Sequence, residues 1–478
     1  MIRTACKVFI FGLLWLIDLP ACAQQEYRKP NIILIVADDL GFGDIQPYGQ
    51  KLIKTPNLSR LADEGMRFTQ FYAGTSVCAP SRSSLMTGLH TGHTFIRGNV
   101  ELEPEGQYPI PEDIPTFTSV LKKAGYTTGL FGKWGLGPVG SSGDPLLHGI
   151  DRFYGYNCQR QSHRYYPTHL WDNDRKVVLN ENGNLQVTHT YAPDLIQHEA
   201  GKFLDEHAKE PFLLMLTYTL PHAELMVPDD SIFRYYRGKF EEHSFKGNDY
   251  GPKAKVSGYA SQDFPRATFA AMVTRLDFYV GEIINKVEQL GLSENTIIIF
   301  TSDNGPHREG GADPGFFKSS GVLRGLKRDL YEGGIRVPFI VRWPGKVKGG
   351  TVNDRVAAFW DIFPTLADLS GATTPSGLDG ISLVPLLIGR GNANYHTYLY
   401  WEFHEDGGKQ AVRKGKWKAV RSGIVNNPNA TIELFDLDKD PSETSNIAVR
   451  YPDVVKQMER IMREAHVETN IFPLISER

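Results

Sequence analysis

The stretch Asn31-Ile32-Ile33-Leu34-Ile35-Val36-Ala37, followed at once by Asp38-Asp39, decides the fold of this 478-residue chain. A continuous apolar run that is rich in β-branched residues is typical of a strand covered on both faces. Such strands lie in the middle of parallel sheets. Four further segments repeat the pattern, and they lie at 127–131, 212–218, 296–301 and 337–341.

Helical patterns separate these strands, and they lie at 58–64, 115–124, 194–208, 267–290 and 359–369. Alternating strands and helices predict an α/β fold, with a large, mostly parallel sheet sandwiched by helices. Ligands of such sheets gather beyond the carboxyl ends of the strands. We therefore look for function among the polar residues that follow each strand.

The pattern changes after Gly389-Arg390-Gly391, where short strands replace the long apolar runs. The strands are predicted at 398–403, 410–412, 417–420 and 432–437, and a closing helix at 452–466. They indicate a smaller C-terminal α+β subdomain with a short antiparallel sheet. We expect a signal peptide over residues 1–23, a catalytic domain over 24–390 and this subdomain over 391–478.

The first residues have the features of an export signal. Arg3 and Lys7 precede a mostly apolar run from Val8 to Leu19, and Ala21-Cys22-Ala23 offers a small-residue cleavage site. The run is too short to span a membrane, and no later segment reaches that length. We expect an exported protein, periplasmic or secreted. A lipoprotein with its anchor on Cys22 is the alternative.

The charge balance argues against one class of partner. The formal net charge is −3, and the chain has no basic run and no basic–aromatic stripe. We therefore expect no nucleic-acid partner.

Acidic residues follow two of the predicted central strands. Asp38 and Asp39 end the first strand, and Asp303 and Asn304 follow the strand at 296–301. An Asp pair or an Asn-Gly step alone is more often a turn. Together they offer three carboxylates and one amide oxygen at one edge of the sheet. This donor set suits a hard divalent cation, Ca²⁺ rather than Mg²⁺.

The segment Cys78-Ala79-Pro80-Ser81-Arg82 predicts a helix start, with Pro80 at the first helical position and Thr87-Gly88 at the end. Cys78 would then stand at the helix N-terminus, where free N–H groups and Arg82 favour an anion. A nucleophile there suits attack on a sulfate or phosphate ester. A half-buried structural cysteine is the simpler interpretation. Because a disulfide would consume Cys78, we expect Cys158 to be a free, buried thiol.

Cys-x-Pro-x-Arg resembles the modification signature of the type I sulfatases, in the alkaline-phosphatase-like superfamily. Gly132-Lys133-Trp134, Pro221-His222 and Leu323-Arg324-Gly325-Leu326-Lys327 resemble further motifs of that family. The resemblance implies that a formylglycine-generating maturase oxidises Cys78 to formylglycine, whose hydrate attacks sulfur.

The resemblance also implies a role for each matching residue. Asp38, Asp39, Asp303 and Asn304 correspond to metal ligands, together with the modified Cys78. Arg82 assists the nucleophile, whereas Lys133, His222 and Lys327 hold the sulfate. His222 or Lys327 would protonate the departing oxygen.

The chain departs from the family at Gly135, where many relatives have a histidine that helps to regenerate the aldehyde. His163, His169 and His307 are possible substitutes, and His307 is the first choice because it follows Asp303 by four positions. We expect sulfated poly- or oligosaccharides as substrates. Aromatic and hydrogen-bonding residues concentrate in the segment 153–171, so we expect sugar contacts there, including His163 and Arg164, and from His307 and His404.

Two other functions stay open. A phosphodiesterase or phosphonate hydrolase of the same superfamily would share the metal ligands, although such enzymes generally use Ser or Thr as nucleophile. A glycan-binding relative without turnover would explain Gly135.

Overall fold

The computed structural model describes residues 29–390 and 394–474. The predicted signal peptide and the alternative lipid anchor at Cys22 lie outside the described residues. No helix in the described part of the chain combines the length and apolar character needed to cross a membrane.

The larger part of the chain forms a mixed, mostly parallel sheet with helices on both faces. Its strands are β1 (Asn31–Ala37), β2 (Met66–Tyr72), β3 (Thr127–Lys133), β4 (Arg152–Tyr156), β5 (His169–Asp172), β6 (Arg175–Val178), β7 (Phe212–Thr217), β8 (Thr296–Ser302), β9 (Arg336–Arg342), β10 (Thr351–Asn353) and β11 (Ala357–Ala358). Its helices are α1 (Pro56–Asp63), α2 (Cys78–Thr87), α3 (Phe117–Lys123), α4 (Ala192–Glu206), α5 (Ser231–Tyr236), α6 (Pro265–Gln289), α7 (Pro314–Phe317), α8 (Glu332–Ile335), α9 (Ile362–Ser370) and α10 (Val384–Leu387).

The strand order places β1 at the centre, as β10-β2-β9-β8-β1-β7-β3-β4-β5-β6, with β11 beside β2. β1 pairs in parallel with both β7 and β8, and β3 pairs in parallel with β7 and β4. β9 runs antiparallel to β8 and β2. The predicted α/β fold with a mostly parallel sheet is confirmed.

The two faces of β1 bury different cores. Ile33 and Ile35 pack into a cluster with α1, α4 and α6, whereas Ile32, Leu34 and Val36 pack into a second cluster with α3 and α9. Successive side chains of a strand point to opposite faces, so a strand between two helical layers must be apolar at every position. This requirement explains the unbroken apolar run.

A second, antiparallel sheet follows with the order β12-β13-β14-β15. Its strands are β12 (Leu399–Phe403), β13 (Lys409–Lys414), β14 (Trp417–Ser422) and β15 (Ile432–Asp436), and α11 (Pro452–Glu464) covers one face. The other face packs against the larger sheet, where Trp401 lies in a cluster with Tyr72 and Trp360. Trp401 is therefore a core residue.

Two details differ from the sequence-based expectation. β2 lacks an apolar run because Arg67, Thr69 and Gln70 interrupt it, so its position as the partner of β9 was not predicted. α2 begins at Cys78 instead of Pro80, because Val77 is extended and its carbonyl accepts the first bond, from Ser81 N–H at 3.2 Å.

Buried charge joins the two sheets. Lys418 Nζ on β14 lies 3.0 Å from Glu332 Oε1 on α8 and 3.5 Å from Glu443 Oε1, and all three side chains are fully buried. Tyr72 OH on β2 donates to Glu332 Oε2 at 2.6 Å. Removal of the lysine would take away the cation nearest to both carboxylates and leave Glu332 with Arg336 at 3.5 Å.

We predict that Lys418→Met lowers the free energy of unfolding by about 3–5 kcal/mol, the cost of breaking a buried ion pair on one side. Urea denaturation followed by tryptophan fluorescence measures the change. Lys416→Met is the matched control, because Lys416 pairs with Asp436 at the surface and its loss is expected to have a much smaller effect. Equal losses in both variants would contradict the role of the buried pair.

Candidate active site

Cys78 opens helix α2 at the centre of a buried polar cluster. It is a free, buried thiol, and so is Cys158, which confirms the prediction made for Cys158. The Cys78 Sγ lies 3.3 Å from Asp38 Oδ1 and 3.9 Å from Asp39 Oδ1. The helix ends at Gly88, whose φ of 71° is left-handed. Every residue of α2 is buried, so the cysteine is held rigidly.

The acidic residues meet because β1 and β8 are parallel and in register, with Ala37 opposite Ser302. Asp39, with φ of 61°, donates its N–H to Asp303 Oδ1 at 3.1 Å. Asn304 Nδ2 donates to Asp39 Oδ1 at 2.7 Å. The Asn304 Oδ1 atom is buried and has no hydrogen-bond partner among the described residues.

Each carboxylate of the cluster has its own cation. Lys133 Nζ lies 2.6 Å from Asp38 Oδ2, and Lys327 Nζ lies 2.7 Å from Asp39 Oδ2. Arg82 donates through Nε and Nη2 to Asp303 Oδ2, at 3.1 and 2.9 Å. The cluster therefore pairs three buried carboxyl groups with three buried cationic side chains.

The environment keeps the Cys78 thiol protonated. Burial raises the pKa of Cys78 well above its ordinary value, and the Asp38 carboxylate raises this pKa further. Burial alone would also raise the pKa of Asp38, but Lys133 and the other cations hold it well below the usual range. Burial and the neighbouring Asp38 raise the pKa of Asp303 to about 7. An unmodified Cys78 is thus a poor nucleophile at neutral pH.

The donor set fits a divalent cation. Potential ligand atoms of Asp38, Asp39, Cys78 and His222 lie within 4.8 Å of one another. The unpartnered Asn304 Oδ1 adds an amide oxygen beside them. Buried polar atoms are almost always satisfied, so this free oxygen indicates a ligand.

His222 stands in a column of three imidazoles. Its ring stacks on His163 at a centroid distance of 5.0 Å and on His307 at 5.5 Å. Its Nε2 lies 2.9 Å from Lys327 Nζ and 3.3 Å from Asp39 Oδ2. Burial and Lys327 hold the pKa of His222 well below its ordinary value, so the ring is neutral.

His307 stacks on His222, and a ring nitrogen of His307 lies within 4.8 Å of the Asp39 and Glu309 carboxylates. Its Nε2 donates to Pro221 O at 3.1 Å, and its Nδ1 accepts from Glu309 N–H at 3.1 Å. Both ring nitrogens are engaged, and the side chain is buried behind His222. The expectation that His307 contacts substrate or replaces the missing histidine stays a prediction.

The side chains of two further predicted substrate contacts, Arg164 and His404, bond to other protein groups. Arg164 is fully buried, and its guanidinium donates to Glu224 Oε2 at 2.7 Å and to Asn248 Oδ1 at 2.9 Å. His404 Nε2 is held by Glu402 Oε2 at 2.8 Å, but its buried Nδ1 has no hydrogen-bond partner among the described residues, so its contact with substrate stays a prediction. Tyr156 and Tyr165 of the predicted sugar-binding segment are also core residues.

The space beside Gly135 is filled by another side chain. Gly135 has a φ of 78°, and a Cβ atom there would lie 2.3 Å from Gln159 Nε2. Gln159 is buried in the segment after β4, and its Nε2 has no hydrogen-bond partner among the described residues. The chain therefore has a carboxamide where a side chain at position 135 would stand.

Asn99 at the edge of the site was missed by the sequence analysis. Its Oδ1 accepts from Ala79 N–H at 3.2 Å, one residue beyond Cys78. It belongs to no motif and no strand end, and the contact joins residues twenty positions apart, so no sequence signal identified it.

A large α/β sheet with an acidic cluster at its carboxyl edge and a nucleophile position at a helix start defines a class. It is the class of hydrolases that cleave sulfate or phosphate esters.

Comparisons with known proteins narrow this class. The Sulfatase family model matches residues 30–372, and the model described as N-sulphoglucosamine sulphohydrolase, C-terminal, matches residues 326–468. Arylsulfatase A of Bos taurus is 34% identical, over 93% of this chain and 90% of the relative. N-acetylgalactosamine-6-O-sulfatase of Bacteroides thetaiotaomicron is 30% identical, over 92% of this chain and 93% of the relative. The chain belongs to the sulfatase family, whose members are sulfuric ester hydrolases of the alkaline-phosphatase-like superfamily.

Solved structures agree with this assignment. The crystal structure of Ps i-CgsB in complex with k-i-k-neocarrahexaose has a TM-score of 0.76 and 28% identity, over 91% of this chain and 92% of that chain. The phosphonate monoester hydrolase of Agrobacterium radiobacter has a TM-score of 0.64 and 22% identity, over 94% of this chain and 100% of that chain, and shows the shared fold alone.

We predict that Gly135→Ala lowers the free energy of unfolding by more than Gly140→Ala. Both glycines have a φ of 78°, so both variants carry the strain of about 1–2 kcal/mol that left-handed backbone imposes on alanine. Only position 135 adds a clash with Gln159, because nothing lies within 4 Å of a Cβ at 140. Urea denaturation of the two variants measures the difference.

The double variant Gly135→Ala/Gln159→Ala removes the clashing carboxamide. In the Gln159→Ala background, Gly135→Ala should then lower the free energy of unfolding by no more than Gly140→Ala lowers it in the wild type. If Gly135→Ala stays more destabilising than Gly140→Ala in the absence of the Gln159 side chain, the clash with Gln159 is not the reason that position 135 requires glycine.

Proposed function

We propose that this sulfatase hydrolyses sulfate esters of poly- or oligosaccharides, through a formylglycine derived from Cys78 and with a bound Ca²⁺. The main support for this proposal is the position of Cys78. Its Sγ lies 3.3 Å from Asp38 Oδ1, beside the lysines that pair with the acidic cluster. A protonated, buried thiol is ill suited to attack sulfur, whereas a hydroxyl oxygen at the same position is well suited.

Relatives whose names or titles mention sugars support a sulfated carbohydrate as the substrate. One relative is named for N-acetylgalactosamine 6-O-sulfate chemistry, and one similar structure holds a neocarrahexaose. The formylglycine, made from Cys78 by a maturase, supplies an aldehyde hydrate whose oxygen is the nucleophile.

Asp38, Asp39, Asp303 and Asn304, with the modified Cys78, would hold the cation. Carboxylate and amide oxygens are the ligands that Ca²⁺ prefers, and an irregular all-oxygen set favours it over Mg²⁺. A bound divalent cation supplies positive charge that polarises the sulfate oxygens and favours ionisation of a hydroxyl group.

The cations of the cluster would bind the sulfate. Lys133 and Lys327 pair with Asp38 and Asp39 in the structure, so carboxylates that turn to a metal ion leave both ammonium groups for sulfate oxygens. Arg82 stays paired with Asp303. It also donates to Lys133 O at 2.9 Å, which fixes the backbone at the end of β3. Buried, preoriented cations stabilise negative charge that develops on the ester.

Lys327 and His222 would handle the proton of the leaving group. Asp39 raises the pKa of Lys327 well above its ordinary value, outweighing burial, so its Nζ keeps the proton. His222 Nδ1 donates to Ala223 O, which leaves Nε2 as the acceptor 2.9 Å from Lys327 Nζ. The proton that Lys327 Nζ donates to His222 Nε2 would be available to the sugar oxygen that departs.

His163 is the remaining imidazole for the step that a histidine at position 135 would assist. His169 is bound to Glu105 at 3.0 Å, and His307 is engaged behind His222. The buried His163 Nδ1 has no hydrogen-bond partner among the described residues. Burial and the neighbouring His222 hold the pKa of His163 well below its ordinary value, so the ring would enter this step in its neutral form. Turnover would not require an imidazole at Gly135.

We further propose that residues 1–23 are a signal peptide and that the protein is exported, with residues 24–390 as catalytic domain and 391–478 as C-terminal subdomain. The four-stranded antiparallel sheet at 399–436 supports the division. The N-terminal sequence of the mature protein tests the export proposal. A chain that begins at Gln24 fits it, a lipidated Cys22 gives the lipoprotein alternative, and a retained leader contradicts both.

We predict that Cys78→Ala abolishes hydrolysis of sulfated sugars, with a loss of at least about 10³-fold, because the nucleophile is removed. Turnover is measured on a panel of defined sulfated saccharides and an aryl sulfate. Mass spectrometry of the wild-type peptide that contains Cys78 should show the aldehyde. Steady-state turnover, rather than a single burst, is expected of the wild type.

Cys158→Ala is the matched control, because Cys158 is also buried and free but lies outside the acidic cluster, and it should retain activity. Substantial hydrolysis by the Cys78→Ala variant would exclude the mechanism. Faster turnover of an aryl phosphate than of the sulfate would favour the phosphoesterase alternative. A burst without further turnover would favour the glycan-binding alternative.

A further inference from the structure

The small C-terminal sheet reaches the active site through its first hairpin. Trp401 Nε1 on β12 donates to Ala73 O at 3.0 Å, and Thr75 Oγ1 donates to Glu402 O at 2.7 Å. Residues 73–77 lead directly into Cys78. β12 is therefore fixed relative to the nucleophile, and so is the loop at 404–408 that joins it to β13.

This loop places Glu405 one contact away from the start of helix α2. Glu405 Oε1 accepts from Asn99 N–H at 3.0 Å and from Asn99 Nδ2 at 3.3 Å. Asn99 in turn accepts from Ala79 N–H at 3.2 Å through Oδ1. Asn99 is exposed and Glu405 is half-buried, in contrast to the buried acidic cluster, so solvent reaches this pair.

The end of the same hairpin is tied to the opposite side of the site. Lys409 Nζ donates to Arg328 O at 2.7 Å, and Arg328 follows the sulfate-binding candidate Lys327. Arg328 N–H donates to Ser76 O at 2.9 Å. The loop is thus tied at one end, through Asn99, to the start of the Cys78 helix and at the other end to the residue after Lys327.

The chemistry of Glu405 differs from that of every group proposed to hold the sulfate. Its Oε1 takes two N–H groups, whereas its Oε2 has no donor among the residues that the structure describes. An ionised carboxylate only accepts hydrogen bonds, so its free oxygen suits a hydroxyl donor. It would repel a second anionic group at the same place.

We infer that Glu405, positioned by Asn99, binds a free sugar hydroxyl beside the scissile sulfate and selects against a second sulfate there. The inference rests on the proposed function, because it names the ring substituents that the same site accepts. His404 precedes Glu405 in this loop, and its Nε2 is held by Glu402, whereas Glu405 keeps one carboxylate oxygen without a donor among the described residues.

The test compares N-acetylgalactosamine 6-sulfate with N-acetylgalactosamine 4,6-disulfate. The two sugars differ only at the 4-position, which carries a hydroxyl group in the first and a sulfate group in the second. Calorimetry with Ca²⁺-loaded protein in a Cys78→Ala background measures binding without turnover. We expect the Glu405-containing protein to bind the monosulfated sugar at least about tenfold more tightly. Glu405→Gln should reduce this preference to about threefold or less, because glutamine keeps the bond to Asn99 but removes the charge.

Glu464→Gln is the matched control, because Glu464 is an exposed glutamate of α11 in the same subdomain, and it should keep the tenfold preference. A Glu405-containing protein that binds neither sugar, or binds the disulfated sugar equally well, would overturn the inference. An unchanged preference in Glu405→Gln would also overturn it. Turnover by the wild type reports on the proposed function separately, so the two can fail independently.

Discussion

The parallel, in-register pairing of β1 with β8 is the constraint on which the site depends. It brings Asp38 and Asp39 beside Asp303 and Asn304 at one edge of the sheet. Three carboxylates so close together cannot stay ionised in a buried place without positive charge. Each of them accordingly has its own lysine or arginine partner, and Arg82 carries helix α2 with it to the acidic edge.

This arrangement links stability with function. Lys133, Lys327 and Arg82 lie 2.6–2.9 Å from the carboxylates that they neutralise. The same three cationic side chains would stabilise the negative charge of a bound sulfate ester. Cys78 lies among them with its pKa raised, first by burial and then by Asp38, so the surroundings suppress thiolate chemistry. These surroundings support the proposed function, in which an oxygen nucleophile and a cation with oxygen ligands would occupy the site.

Much of this could be predicted from the sequence, because strong local signals carry it. Unbroken apolar runs locate β1, β7 and β8, and the residues that follow them locate the acidic cluster. The sequence could not show how side chains are partnered over long distances. Arg164 and His307 are polar residues in promising places, yet burial and fixed hydrogen bonds commit them to the interior. Asn99 and Glu405 meet through a hairpin from the other sheet, which no local pattern indicates.

The most direct test of the central claim is the metal content and Ca²⁺ affinity of the purified protein and of an Asp38→Asn variant. We predict that the wild type binds one Ca²⁺ per chain and loses activity when it is removed, with Ca²⁺ restoring more activity than Mg²⁺. The variant should bind Ca²⁺ at least about tenfold more weakly, since a charged ligand is lost. A wild-type protein that hydrolyses sulfate esters at full rate without any divalent cation would contradict the account.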